Sequence, residues 1–323
     1  MIQFHLHANT PDQHTTIFYW RSNWMILYNE QYVPHDDIRI SMDDRGYYYG
    51  DGIYEVFRIY DGKLFEKEAH MARLTKSSQS ARIPLPCTID ELEQRLVRLV
   101  ELCEIHVGTL YMQITRGVSK RALPFPDALP VLLAYCKVLP RPVELMKSGI
   151  TAMTIPDIRW LRCDIKSLNL LPNVLAKQEA VDHGFNEAIL HRDGVVTECS
   201  ASNIMIVHEG KLFTHPANHL ILHGVTRQLV LKLAEQEGIE IELRAFTLEE
   251  LSNADEAFLC GTTTEITPIV SINNRPVGNR WDELCEATDE EGLTSSTSVS
   301  QPGMITRTLQ AALNEYIGVS DSN

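Results

Sequence analysis

Four tight-turn signals set between short apolar runs constrain this chain more than any other feature of its sequence. Asp61-Gly62, Asp193-Gly194, Glu209-Gly210 and Asn273-Asn274 each put Gly or Asn between β-like runs. Such residues supply the positive φ that a hairpin turn needs. The pattern predicts a hairpin over 54–65, a three-stranded meander over 188–213 and a further hairpin over 257–277. Helical segments are interleaved with these strands. Thr88-Ile89-Asp90-Glu91 reads as a capping box, and Leu92, Leu96, Leu99, Val100 and Cys103 follow at helical spacing. Further helices are expected over 173–183, just after Pro172, over 226–236, stopped by Gly238, and over 305–317.

This alternation predicts an α/β (α+β) chain of two lobes. Leu139-Pro140-Arg141-Pro142 is a stiff, proline-marked stretch near the middle. The expected organisation is an N-terminal extension over 1–23, a smaller lobe over 24–139, a linker at 140–142 and a larger lobe over 143–323. A Thr-, Ser- and Glu-rich loop falls near 286–303. Met25 opens a clean strand pattern after a polar, His-rich stretch, which makes it a candidate alternative start.

Charge narrows the class of partner. The 323 residues carry a formal net charge of -14, which argues against nucleic acid or an anionic membrane as partner, because a basic surface must neutralise their phosphates. A small anionic ligand remains compatible through local basic clusters, of which Arg116, Lys120 and Arg121 form one. The N-terminus has no basic and apolar secretory pattern, and no apolar run reaches membrane-spanning length, so a cytoplasmic protein is expected. Seven scattered cysteines include no CxxC pair and read as reduced thiols. Twelve histidines include no HExxH pair, and no metal site is expected.

Four local patterns could carry chemistry, each beside a plainer reading. Lys166 lies in a stretch containing Ile158, Trp160 and several arginines, which looks half buried. An amine in apolar, cation-rich surroundings is a usable nucleophile; a solvated or salt-bridged lysine is the plain alternative. Glu198 interrupts a strand-like run ahead of Cys199-Ser200-Ala201-Ser202, where it could pair with a cationic ring nitrogen or be an ordinary edge-strand acid. His223-Gly224-Val225-Thr226 opens a helix, whose free N–H groups and dipole suit a phosphate, or is a simple threonine cap. Gly261-Thr262-Thr263-Thr264 follows a strand and offers clustered hydroxyls, or is a polar turn.

Taken together and in order, these segments resemble a known family. The stretch 157–171, from Asp157 through Lys166-Ser167-Leu168-Asn169 to Leu171, closely resembles the cofactor-lysine segment of bacterial D-amino-acid aminotransferases. Asp44-Arg45-Gly46-Tyr47, the run 49–55 and Glu265-Ile266-Thr267-Pro268 are similar to other signatures of these fold-type IV pyridoxal-phosphate enzymes, which also include branched-chain aminotransferases and aminodeoxychorismate lyase. The resemblance implies pyridoxal 5'-phosphate as cofactor and a Schiff base on Lys166, which would also shuttle the proton. It implies Glu198 at the pyridine nitrogen and Leu222 packed on the ring. Arg73, Val225, Thr226 and Thr262 would hold the phosphate. Tyr54 and Arg121 would bind substrate. The implied reaction is ping-pong transfer of an amino group between a D-amino acid and a 2-oxo acid such as 2-oxoglutarate or pyruvate, in a homodimer whose trap loop crosses between subunits.

Two departures stand out. The family's Arg-x-His carboxylate trap reads Arg121-Ala122-Leu123 here, and Gly261 stands where a serine is common. The first keeps a branched-chain L-amino-acid or (R)-amine transaminase open as an alternative, with aminodeoxychorismate lyase and a catalytically inert relative behind it.

Overall fold

A computed structural model describes residues 25–278 and 302–319, so the expectations for 1–23 and for most of the 286–303 loop lie outside the described residues. The strand patterns of the first half form one six-stranded antiparallel sheet, in the order β2-β1-β6-β5-β3-β4. Its members are β1 (Met25–Tyr28), β2 (Gln31–Pro34), β3 (Gly52–Tyr60), β4 (Lys63–Leu64), β5 (Gly108–Thr115) and β6 (Val131–Val138). The expected hairpin over 54–65 is β3–β4, turning on Asp61 (φ 47°) and Gly62 (φ 72°). Alternation along β3 sends Phe57 and Ile59 into the apolar layer beneath α2 (Lys67–Ala81) and α3 (Ile89–Cys103). The capping box at Thr88 is present on both sides, and Leu92, Leu96, Leu99 and Val100 are all buried on one face of α3. Each such side chain contributes roughly 1.5–3 kcal/mol of apolar burial.

The second half builds a nine-stranded mixed sheet, β12-β11-β10-β13-β14-β7-β8-β9, with β15 also on β14. Its strands are β7 (Ile150–Pro156), β8 (Glu187–Arg192), β9 (Val195–Cys199), β10 (Asn203–His208), β11 (Lys211–Phe213), β12 (Ile241–Glu242), β13 (Glu256–Gly261), β14 (Glu265–Ile272) and β15 (Arg275–Pro276). Here the sequence expectation needs correcting. Residues 188–213 are two hairpins, β8–β9 and β10–β11, and β10 pairs with β13 rather than with β9. Likewise 257–277 holds three strands, because both the Thr262–Thr264 turn and Asn273-Asn274 reverse the chain. The sheet curls so that β9 and β10 still meet, with the Cys199 N–H donating to the Ser202 carbonyl at 2.8 Å.

Helices α4 (Val143–Ser148), α5 (Leu171–Asp182), α6 (Val225–Gln236), α7 (Leu248–Ser252) and α8 (Met304–Ile317) complete this half. α6 and α8 share a core with Met205, Phe258 and Ile266. α5 starts two residues before the expected position, with Pro172 in its first turn, where a missing N–H costs nothing. No described helix is long and apolar enough to cross a membrane.

Candidate active site

The two sheets face each other across a cleft of about 860 Å³, a size suited to a small molecule. Lys166 reaches it from the loop between β7 and α5, which is pinned to the edge of β3. The Tyr54 N–H donates to the Lys166 carbonyl at 3.0 Å, and Ile53 bridges Ser167. The Lys166 amine stands 4.2 Å from the centroid of the Tyr54 ring, and both residues line the cleft. The apolar surroundings expected of it are thinner than the sequence suggests: Ile158 is 67% exposed, while Trp160, Cys163 and Ile165 line the cleft beside it. Partial burial comes instead from docking against β3 and α2, where Ser77 Oγ accepts the Lys166 N–H at 3.2 Å.

Glu198, next to last in β9, lines the same cleft, and it is buried rather than at an open strand edge. Its carboxylate accepts from three residues. Arg159 Nη1 donates to Oε1, Asn203 Nδ2 to Oε2 at 2.9 Å, and the Leu222 N–H to both oxygens at 3.1–3.2 Å. Burial pushes the carboxyl pKa up, against the pull of Arg159. Arg159 is itself held by Asp157, with Nε to Oδ1 at 3.0 Å and Nη2 to Oδ2 at 2.9 Å. Although burial disfavours the Asp157 anion, Arg159 and Arg192 hold its pKa down at about 2.

Arg73 on α2 lines the cleft beside the start of α6. Its guanidinium is clamped from behind by Glu55 of β3, with Nε to Oε1 at 2.9 Å and Nη2 to Oε2 at 2.7 Å, while Nη1 donates to the His223 carbonyl at 3.3 Å. His70 Nδ1 lies 2.8 Å from Glu55 Oε2. Glu55 is fully buried; burial alone would raise its pKa, but Arg73 and His70 bring it from 4.5 down to about 2. α6 begins at Gly224, an extended cap with no side chain closing its first turn, so the free N–H groups of that turn open on the cleft beside Val225 and Thr226. Glycine is required there, since a β-carbon would lie 2.1 Å from Asn203 Oδ1. Thr262 and Leu222 also line the cleft, and the buried hydroxyls of Ser202 and Thr264 at its wall have no hydrogen-bond partner.

Arg121 does not join this group. It is exposed, 5.3 Å from the Tyr49 ring centroid, and does not line the cleft. The basic cluster expected from Arg116, Lys120 and Arg121 does not converge either. Arg116 is buried and committed to Asp51 at 2.9–3.0 Å and to the carbonyls of Ala81 and Arg82. Leu123 is 80% exposed, and Arg45 fixes this loop through the carbonyls of Ala122 and Leu123.

The family model for amino-transferase class IV matches residues 52–272, a span that includes Tyr54, Lys166, Glu198 and the Thr262–Thr264 turn. The chain belongs to the class IV aminotransferases. It is 40% identical over 294 residues to a D-alanine aminotransferase of Staphylococcus haemolyticus, covering 90% of this chain and 97% of that one. Its fold matches the branched-chain amino acid aminotransferase of Escherichia coli with a TM-score of 0.82 at 25% identity, covering 94% of this chain and 97% of that one. A branched-chain amino acid aminotransferase of Thermobaculum terrenum, solved in its PLP form, matches with a TM-score of 0.78 at 26% identity over 93% of this chain and 96% of that one.

Within this class IV aminotransferase, the residues that hold the lining groups in place escaped sequence reasoning. Glu55 and Arg159 sat inside recognised motifs without a role, and His70 and Asn203 went unremarked. A signal existed for one of them: Asp157-x-Arg159 two residues apart at a strand end suits a local ion pair, and that pair is present. The Glu55–Arg73 clamp spans 18 positions and leaves no local pattern. Gly261 already has Thr264 Oγ1 2.9 Å from its would-be β-carbon, so a serine here would crowd that hydroxyl.

Proposed function

We propose that this chain is a pyridoxal 5'-phosphate-dependent D-amino-acid aminotransferase that moves an amino group between a D-amino acid such as D-alanine or D-glutamate and a 2-oxo acid. The observation that carries this reading is one cleft lined jointly by the Lys166 amine and the Glu198 carboxylate, with Arg73 and the open start of α6 in the same wall. The donor set fits the cofactor. A guanidinium and free helix N–H groups suit a phosphate dianion, a buried carboxylate suits a protonated ring nitrogen, and the orphaned hydroxyls of Ser202 and Thr264 await polar partners.

When bound, pyridoxal 5'-phosphate supplies an aldehyde that captures amines and a ring that withdraws electrons from the substrate's Cα. The protein's own residues do the rest. Arg73, braced by Glu55, and the first turn of α6 anchor the phosphate, which fixes the ring as the amine partner changes. Glu198, oriented by Arg159, Asn203 and Leu222, keeps a proton on the ring nitrogen. Leu222 packs against the ring. Lys166, the amine that would carry the cofactor, would when freed take the proton from the substrate Cα and deliver one to C4′. Tyr54 orients both Lys166 and the substrate. Two such halves in turn give ping-pong exchange.

Arg121 completes this reading as a substrate-carboxylate anchor delivered to a second subunit. Support comes from its position away from its own cleft, on a loop that also exposes Leu123, Phe125 and Leu129. A homodimer follows from that role. A cytoplasmic setting agrees with the six described cysteines, all of them free thiols. The second reading, a branched-chain L-amino-acid transaminase, draws on the solved structures of similar fold and on Leu123. A donor panel of D-alanine, D-glutamate, L-leucine and (R)-phenylethylamine, with 2-oxoglutarate or pyruvate as acceptor, separates the two. Turnover of the D-amino acids is expected; turnover of L-leucine alone would overturn the proposal.

A further inference from the structure

Glu198 shares the cleft wall with a second acid that the chemistry above does not use. Glu187, the first residue of β8, lines the same cleft and is 5% exposed. A carboxylate so deep is costly unless its oxygens find donors. Glu187 Oε1 accepts from the Ser200 hydroxyl and from the Ala188 N–H, the latter at 2.8 Å, and Oε2 accepts from the Lys177 amine at 3.1 Å. Ser200 lies in the turn that joins β9 to β10, between Glu198 and Asn203. Lys177 lies on α5, the helix that follows the Lys166 loop. A second bond ties the same two segments: Asn173 Nδ2, in the first turn of α5, donates to the Ser200 carbonyl at 2.7 Å. The Ser200 N–H donates to the Ala188 carbonyl at 3.1 Å, so each polar group of Ser200 is committed to this junction. Asn173, Lys177 and Ser200 all line the cleft with Glu187.

We propose that Glu187 is a positioning residue for the transamination: through Ser200 and Lys177 it locks the turn beyond Glu198 to the helix that follows Lys166, and so sets the amine against the acid. The inference rests on the aminotransferase reading above. The Lys166 loop is bonded to the small lobe, with the Tyr54 N–H donating to the Lys166 carbonyl and the Leu168 N–H to the Gly52 carbonyl, both at 3.0 Å. Glu198 belongs to the large lobe, where Asn203, at the far end of the turn, donates to its Oε2. A displaced turn takes Asn203 away from that oxygen, and a displaced α5 carries the end of the lysine loop with it. Glu187 holds both at once, from the strand beside them. Its oxygens are occupied by three donors, which suits orientation rather than proton transfer, and misplacement of reacting groups by about 1 Å is enough to cost about 100-fold in rate.

The test compares Glu187→Gln, which turns an amide donor toward the Lys177 amine, with the milder Ser200→Ala, which keeps the acid and decides alone if the first does not fold. In each holoenzyme, kcat for D-alanine should fall about 10-fold with KM within about threefold of wild type. The double variant should be no slower than the poorer single one, because both break one contact. Two readouts stand apart from turnover. The pH at which the visible absorbance band of the holoenzyme titrates should move by about one pH unit, and the apoprotein should bind pyridoxal 5'-phosphate about 10-fold more weakly. Apo Ser200→Ala should melt within about 3 °C of wild type. A lower Tm with rate, band and cofactor affinity unchanged would make the junction structural only, and losses that multiply in the double variant would give the two residues separate roles; either overturns the proposal. Wild-type enzyme inert toward every D-amino acid would instead sink the transaminase reading, and the band titration and cofactor affinity would still decide the role of Glu187.

Discussion

The side-chain oxygen of Asn203 occupies the space that a β-carbon on Gly224 would need, 2.1 Å from its ideal position. The same Asn203 donates its amide hydrogens to Glu198 Oε2 at 2.9 Å and to the Leu222 carbonyl at 3.0 Å. One asparagine therefore couples the start of α6, the proposed phosphate site, to Glu198, the acid proposed to meet the ring. Gly224→Ala has to displace it. The variant is expected to bind pyridoxal 5'-phosphate about 10–100-fold more weakly, with turnover at saturating cofactor reduced as well. Absorbance titration of the apoenzyme checks both; unchanged affinity would show that Asn203 gives way without consequence.

Glu198→Gln keeps the shape of the acid and removes its charge. A neutral amide cannot hold a proton on the ring nitrogen, so kcat should fall at least about 100-fold. Stability should change by no more than about 1 kcal/mol, since Arg159 keeps its second partner, Asp157, and the charge removed is one that burial disfavours. Urea melts beside steady-state rates separate the two effects. A large stability loss with near-normal turnover would make Glu198 a structural acid.

Glu55→Gln tests the clamp behind Arg73. Leaving that guanidinium buried without a counter-charge should cost roughly 3–5 kcal/mol at neutral pH. The sign of the pH dependence follows from the depressed carboxyl. With its folded-state pKa at about 2 against an ordinary 4.5, Glu55 stabilises the fold fully above pH 4.5, and that contribution fades as pH falls toward 2. Urea melts of wild type and variant should therefore differ most at pH 7 and converge in acid. A constant difference across that window would assign the stability to packing rather than charge.

What could be read from the sequence was local. The Thr88 capping box, the Asp61-Gly62 turn and the 3.6-residue spacing of α3 are all contained within a few positions, and each specifies its own geometry. The family motifs located Lys166, Glu198, Arg73 and the α6 start, all of which line one cleft. Relationships between distant segments were not legible. The strand patterns over 188–213 read as one continuous meander, yet β10 leaves β9 for β13, because the partner of a strand is chosen by tertiary packing and not by its own pattern. Arg116 looked like part of an anion site, but Asp51, 65 positions away, had already claimed it. Ile158 looked like a lysine-burying residue and is largely exposed, since an apolar residue in a loop has no periodicity to fix its direction.

Arg121 yields a prediction that no single-chain role can mimic. Mixing the inactive Lys166→Ala variant with a weakened Arg121→Ala variant should give hybrid dimers holding one site with both residues intact. Activity above that of either parent is expected, up to about a quarter of wild type if subunits exchange at random. Arg121→Ala alone should raise KM with Tm unchanged within about 1 °C, as befits an exposed side chain. No recovery on mixing, despite demonstrated subunit exchange, would place Arg121 outside the partner's site.

The covalent role of Lys166 is open to direct measurement. Holoenzyme purified with pyridoxal 5'-phosphate is reduced with sodium borohydride, digested and mapped by mass spectrometry. A pyridoxyl adduct on the peptide carrying Lys166 is expected, together with loss of the visible absorbance band. An adduct on a different lysine, or no adduct in protein that turns over D-amino acids, would contradict the assignment of Lys166 as the cofactor-bearing amine.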